Sequence, residues 1–418
     1  MKKFRHYFMG LGFVLFIFGI HMLPISDSML NENNTKLSHS FLVSQIRYHQ
    51  EFAPFARRPL TSGLIEFCSS IFGIPISESF VWVNLVLLLL SGLLVYQLSL
   101  KLKATTGQAL FNMSSYFLTF SIVFAFFPPV FSYDEPLQYC FLFLSIWAVI
   151  NNKWAYYCLC FFLALVARES SIFLFPGFIL IGLGLKALPS FNWSPLAIRR
   201  WGLLFMPLSL YALYLILFFW KTGLWAESST LEGNRLQCLN DNFGTLEKTL
   251  ETLFSFLLVL VPALYFLFVT NKEKKFTTVQ KRFVQAFLIG LLINTPVIML
   301  ATLARESRLF ALPLIFLWPL AGQLFWKELT LLMRPDLYLE VFRSWPNRLY
   351  FLGLCILNYL ISFKVYVPSF PAADNFFNEY LFIVFLLISV HFLLWKYLRN
   401  NPGTDNSPTE AVMNIKKR

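Results

Sequence analysis

Hydrophobic stretches of roughly 17 to 25 residues recur from one end of the chain to the other, most of them long enough to cross a hydrocarbon core ~30 Å thick. Backbone donors and acceptors in lipid must be satisfied within their own segment, so these runs predict helices. They fall at 7–24, 80–99, 109–128, 137–150, 154–167, 172–188, 202–220, 253–270, 284–303, 309–326, 349–366 and 380–397. The pattern predicts an all-α polytopic membrane protein of about 12 spans. Residues 1–400 form one helical domain, followed at 401–418 by a polar tail with Pro402, Gly403 and Pro408 that reads as disordered. The first run follows Lys2, Lys3 and Arg5 as a signal peptide would, but no small-residue cleavage site comes after it, so it reads as a retained helix.

Two span boundaries rest on charge alone. Arg168–Glu169 and the segment from Arg305 to Arg308 interrupt otherwise continuous apolar sequence without a Gly or Pro turn. Reading either stretch as one long span would exchange the sides of every later loop. With both read as hairpins and the N-terminus cytoplasmic, about two thirds of the 34 Lys and Arg collect on the cytoplasmic side, among them Lys101, Lys103, Arg199, Arg200, Lys272, Lys274, Lys275, Lys281 and Arg282. Both termini are then cytoplasmic.

Two outer loops are long enough to be structured. Residues 25–79 hold apolar positions at Leu37, Phe41 and Ile46, and again at Leu60, Leu64, Cys68, Ile71 and Phe72 after Pro59. This spacing, with Pro59 in the helix-opening position, predicts two amphipathic helices on the membrane surface. The second loop, 221–252, is polar and reads as a cap over a cavity.

Composition agrees with this picture: 57% of residues are hydrophobic and only 13% charged, about half the charge of a soluble domain. The net charge of +12 sits mostly in short stretches between apolar runs, where it orients helices, so membrane lipids and not nucleic acid are the expected partners. Cys140, Cys158, Cys160 and Cys355 fall inside spans and read as buried thiols, with Cys158 and Cys160 neither a metal nor a redox pair. Cys68 and Cys238 share the outer side, where a disulfide is open to them. His39 and His49 with Glu51 show no ligand spacing and read as solvated loop residues, so no metal ligand is assigned.

Charged groups at membrane depth are costly unless they pair or line an aqueous cavity, which makes their positions the main functional signal. The outer boundary carries Arg57–Arg58, Asp134–Glu135, Arg168–Glu169, and Arg305, Glu306 and Arg308. Two of these are near copies. Ala167-Arg168-Glu169-Ser170 leads into Ile172-Phe173 and Pro176, while Ala304-Arg305-Glu306-Ser307 leads into Leu309-Phe310 and Pro313. For each pair the plain reading is an interfacial ion pair marking a helix end. Five arginines on one face point further, to phosphate, whose oxygens suit the planar, permanently charged guanidinium fork.

These elements together resemble the GT-C superfamily of integral-membrane glycosyltransferases. The match runs in order: an acid just after helix one in Ser26-Asp27-Ser28, then Ala56-Arg57-Arg58-Pro59-Leu60, then Ser132-Tyr133-Asp134-Glu135-Pro136-Leu137. The basic turn Asn151-Asn152-Lys153 and the element at Arg168 follow, and Glu306-Ser307-Arg308-Leu309-Phe310 through Pro313 comes late in the chain. Residues 7–188 carry most of the likeness. A departure is that Asp27 stands alone where such enzymes open the loop with a paired acidic motif. The resemblance implies a sugar transferred from a polyprenyl-phosphate-linked donor to a glycan, lipid or protein acceptor on the non-cytoplasmic face, in a bacterial inner membrane. Asp27, or second Asp134, would be the base. Arg57, Arg58, Arg168, Arg305 and Arg308 would hold the lipid phosphate, with Glu135, Glu169 and Glu306 in support. No cofactor is assigned, and a divalent cation is compatible with the scheme.

Two other classes compete. An O-antigen-type polymerase or ligase also combines many spans with arginine-bearing outer loops, but usually has its longest outer loop late in the chain. A transporter or flippase for lipid-linked sugar would call for charges near the midplane and for helices broken in corresponding halves, whereas the spans read here lack central charges.

Overall fold

The computed structural model describes residues 4–19, 39–124, 133–183, 195–224, 237–273, 276–304, 306–365 and 377–401. Asp27, Arg305, the middle of the 221–252 loop and the tail beyond 401 lie outside them. Among the described residues the structure is helical, with no strand.

The chain begins with α1 (Arg5–Ile17), then α2 (His39–Glu51), the single turn α3 (Ala53–Ala56) and α4 (Pro59–Phe72). The long α5 (Ile76–Lys101) is followed by α6 (Thr106–Phe117), α7 (Phe120–Phe124) and the hairpin α8 (Glu135–Ile150) and α9 (Trp154–Ala167). A 3-10 segment, Glu169–Leu174, runs into α10 (Phe175–Leu183). There follow α11 (Pro195–Thr222), α12 (Gln237–Phe243), α13 (Leu246–Glu273) and α14 (Thr278–Ala301). A second 3-10 segment, Ser307–Phe316, precedes α15 (Ala321–Leu332), α16 (Pro335–Val341), α17 (Trp345–Leu360) and α18 (Phe377–Asn400).

Among the described residues six helices are long and apolar enough to cross a membrane: Ile76–Lys101, Arg199–Thr222, Leu246–Lys272, Thr278–Ala301, Trp345–Val365 and Phe377–Asn400. A seventh arises if Ser307–Phe316 and Trp318–Leu332, bent by 49°, count as one broken span. The stretch at 309–326 read as a regular span because its residues are uniformly apolar, but Pro313 and Pro319 each remove a backbone donor and the chain winds as 3-10 turns instead. Arg5–Ile17, Glu135–Ile150, Trp154–Ala167 and Glu169–Leu183 are apolar but shorter.

Local signals set several of these boundaries. Thr105 and Thr277 each open a helix with a capping box, the threonine hydroxyl accepting from Gln108 or Gln280 N while the glutamine side chain accepts from the threonine N–H at 3.0 Å. Asn152, at φ 56°, takes the left-handed conformation that turns α8 back into α9. Their antiparallel packing puts Lys153 at one end of the hairpin and Glu135 and Arg168 at the other. Likewise α14 carries Lys281 and Arg282 in its first turns and ends near Arg308.

The core is aromatic. Tyr116, Tyr139 and Phe143 surround Trp318 with ring centroids 4.9, 5.7 and 6.4 Å away. The helices of the first loop pack inward, with Leu42, Ile46 and Ile65 buried against Phe80, Val83, Leu87 and Tyr133. On α4 the opposite face exposes Phe67, Ile71 and Phe72. Much of α11 and α17 is exposed and apolar, as at Leu213, Ile216, Leu217, Leu349, Leu352 and Ile356, a surface suited to lipid and unsuited to water.

Cys68 and Cys238, which the sequence left open to a disulfide, are not bonded to each other. The helical interior also holds a cluster of titratable groups: His391 of α18 and Glu328 of α15 are buried, His391 Nε2 lying 2.9 Å from Glu328 Oε2 and its Nδ1 2.8 Å from the Tyr265 hydroxyl of α13. Spacing along the chain hides this triad because its members are far apart in sequence.

Candidate functional site

Both near-copied elements break a helix in the same way. After Ala167 the backbone of Arg168 is extended (φ −161°, ψ 120°) before the 3-10 segment at Glu169. After Ala301, Thr302 is extended (φ −141°, ψ 172°) and a 3-10 segment starts at Ser307. Asn242 of α12 braces the second break, donating to Met299 O (2.9 Å) and Thr302 O (2.7 Å) and accepting from Ala304 N (2.9 Å). Gln138 of α8 braces the first through the Ser171 hydroxyl at 2.8 Å, and Asn294 of α14 donates to Leu309 O at 3.0 Å.

The breaks bring together charges that sequence could only assign to one side. Arg168 and Arg308 converge on Glu135: Arg168 is ion-paired to it, and Arg308 Nη1 lies 3.5 Å from the same Oε1. Arg308 Nη2 also holds Glu306 Oε2 at 2.6 Å. Arg57 and Arg58 reach across from the turn before α4 to Glu169. Arg58 Nε donates to Oε2 at 2.6 Å, Arg58 Nη2 grips Oε1, and Arg57 Nη2 lies 3.2 Å from that oxygen. So Glu169 pairs with the first loop and not with its neighbour Arg168, contrary to the adjacent pairing that sequence suggests. The Phe55 ring lies 5.0 Å from the Arg58 guanidinium, and the Tyr214 hydroxyl donates to Arg57 O at 2.9 Å, tying α11 to the same turn.

Asp134 sits at the base of this cluster with no exposed surface. Arg58 Nη1 is 3.9 Å from its Oδ2 and His49 Nδ1 3.7 Å, both beyond hydrogen-bond reach. The Thr61 hydroxyl faces the carboxyl without forming a well-shaped hydrogen bond, and neither carboxyl oxygen is satisfied by a described residue. Burial pushes the Asp134 acid up, Arg58 and Arg168 pull it down and Glu135 pushes it up again, leaving it at about 7. Glu169 goes the other way: burial raises it, but Arg58 and Arg57 outweigh that and hold it well below the ordinary carboxylate range.

No known family model matches the chain, nor does any curated protein or solved structure. What the site can do is therefore read from its own geometry.

Of the residues singled out from sequence, Arg57, Arg58, Asp134 and Glu169 form one ion-paired set and Arg168, Arg308, Glu135 and Glu306 another. The two lie close enough for their charges to act on each other, Arg168 and Glu135 on Asp134 and Glu135 on Arg58. Asp27 and Arg305 are outside the described residues. His49, read as a solvated loop residue, is instead only 4% exposed and stacks on Phe55 with ring centroids 4.6 Å apart. The signal was present: Leu42, Ile46, His49 and Ala53 follow helical spacing and are all buried, so His49 belongs to the inward face of α2. Burial and the positive charges of Arg58, Arg168 and Arg308 lower its pKa to about 3, so the imidazole is neutral at physiological pH. Tyr133, whose hydroxyl lies 2.9 Å from Ser62 Oγ, directly precedes Asp134 and packs against His49 with ring centroids 4.3 Å apart. Among the described residues no group of three or more His, Cys, Asp or Glu side chains is arranged to hold a metal ion.

Proposed function

We propose that the protein is a GT-C-like integral-membrane glycosyltransferase that moves a sugar from a polyprenyl-phosphate-linked donor to an acceptor hydroxyl on the non-cytoplasmic face of a bacterial inner membrane. The observation that carries this reading is the meeting of Arg57, Arg58, Arg168 and Arg308, drawn from three distant parts of the chain, around the buried Asp134. Guanidinium groups stabilise charge that grows on a leaving phosphate. A carboxyl poised near neutrality suits proton transfer from a hydroxyl at physiological pH. The acceptor oxygen bonds to the anomeric carbon, the bond from that carbon to the phosphate oxygen breaks with its electrons going to the phosphate, and the hydroxyl proton passes to Asp134. His49, neutral and 3.7 Å away, is placed to orient the same hydroxyl.

The finer topology of about 12 spans with both termini cytoplasmic belongs to this proposal. It draws support from the α8–α9 hairpin and from α14, each with its basic residues at the end away from the cluster. Of the two acids considered as base, Asp134 is favoured by its surroundings. In nanodiscs, Asp134→Asn is expected to keep its fold and its affinity for undecaprenyl phosphate while transfer from an undecaprenyl-phosphate hexose falls roughly 10²- to 10⁴-fold. Wild-type turnover in this variant sinks the assigned base, and a wild-type protein that neither binds the lipid phosphate nor turns over any such donor sinks the whole reading. The Tyr265–His391–Glu328 triad favours a second reading, proton-coupled transport, because buried titratable groups inside a helical bundle often serve proton relays. Proton-dependent flux of a lipid-linked sugar across proteoliposomes, abolished in His391→Phe, would select that reading.

A further inference from the structure

The four arginines of the cluster face four carboxylates, Asp134, Glu135, Glu169 and Glu306. With the Asp134 acid held at about 7, the described residues leave at most a small surplus of positive charge in the site before any ligand arrives. A phosphate carries a charge of about −2 at neutral pH, so its entry into an unchanged cluster would bury uncompensated negative charge beside carboxylates. Admission of the ligand requires one carboxylate to leave its arginines.

The four acids differ in their ability to do so. Asp134 and Glu135 stand at the start of α8, with side chains 0% and 6% exposed, and Glu135 is shared by two arginines. Glu306 lies two residues from its partner Arg308, so releasing it would free an arginine already engaged on Glu135. Glu169 has a side chain 26% exposed and opens a 3-10 segment. Its carboxylate is gripped by a three-donor fork, Arg58 Nε and Nη2 with Arg57 Nη2, spread over both oxygens. Such a planar grip is the one guanidinium groups offer to two oxygens of a phosphate.

Resting on the proposed function, we infer that Glu169 is an internal stand-in for the phosphate: its carboxylate fills the Arg57–Arg58 fork in the unliganded protein and gives it up when a phosphate monoester binds. The inference divides the arginines by task. Arg57 and Arg58 form the exchangeable anion site, whereas Arg168 and Arg308, fixed on Glu135, hold the hairpin ends together and supply the surrounding positive field.

The test measures binding of undecaprenyl phosphate and, separately, of inorganic phosphate to the full-length protein in nanodiscs, for the wild type, Glu169→Gln, Glu169→Asp and Glu169→Gln combined with Arg58→Ala. Removing the internal competitor is expected to tighten undecaprenyl phosphate binding about tenfold, equivalent to about 1.4 kcal/mol. Glu169→Asp, which keeps the charge but shortens its reach, should fall between, and it secures the test should the Gln variant fold poorly. The gain must vanish when Arg58→Ala is added, since the fork is then gone. Tightening for both ligands identifies the phosphate group itself as what the fork reads, and tightening for the lipid alone adds the polyprenyl chain to the recognised ligand. Equal or weaker binding in both Glu169 variants overturns the stand-in role, as does a gain that persists without Arg58. Absence of phosphate binding in every protein, wild type included, overturns the glycosyltransferase reading along with it.

Discussion

Replacing Glu135 with Gln tests the architecture of the site without any substrate. Glu135 is 4% exposed, and its carboxylate holds Arg168 and Arg308, themselves 8% and 7% exposed. Removing one partner of a buried ion pair costs about 3–5 kcal/mol, because a charge is left in a poor solvent. Two features reduce that figure. Arg308 retains Glu306 at 2.6 Å, and the amide oxygen of Gln still accepts one hydrogen bond, worth about 1 kcal/mol. The expected loss is therefore about 2–4 kcal/mol for Glu135→Gln and about 3–5 kcal/mol for Glu135→Leu. Reversible unfolding in mixed micelles would measure it. The double variant Glu135→Leu with Arg168→Met should recover much of the loss, since it removes both charges of the closest pair and leaves Arg308 to Glu306. A Glu135→Gln protein within about 0.5 kcal/mol of wild type, or a double variant as unstable as the two single losses added together, would refute the view that this carboxylate joins the two broken helices.

Packing and titration give two further tests. A Cβ on Gly322 would lie 2.8 Å from the Gln108 carbonyl oxygen, which α6 holds in place, so Gly322→Ala should cost about 1–3 kcal/mol in the same unfolding assay; an unchanged midpoint would mean that α15 shifts freely against α6. Asp134 has a folded-state pKa raised to about 7, so the stability it contributes is complete below the unfolded value of 3.8 and is lost as pH rises through about 7. Wild-type protein should thus lose stability relative to Asp134→Asn between about pH 4 and about pH 7, and parallel curves for the two proteins across that window would remove Asp134 from the buried set.

Much of the architecture can be read along the chain. Apolar runs, the capping boxes at Thr105 and Thr277 and the basic turn at 151–153 are local signals, each acting within a few residues, and they mark where helices start and reverse. The near-copied elements at 167–170 and 304–307 are legible in the same way, because the cost of placing charge in an apolar stretch is a property of the stretch itself.

What sequence could not decide is which charge pairs with which. Adjacent Arg168 and Glu169 have partners in α8 and in the turn before α4, since the extended backbone at Arg168 sends the two side chains to different neighbours. The burial of His49 against Asp134 is equally a product of packing: α2 places it on the inward face, and only the closure of the first loop over α5 and α8 supplies the carboxyl. The Glu328–His391 contact spans 63 residues and joins two helices with no shared motif. Pairing in a low-dielectric interior depends on distance and on exclusion of water, and both are set only once the helices have packed.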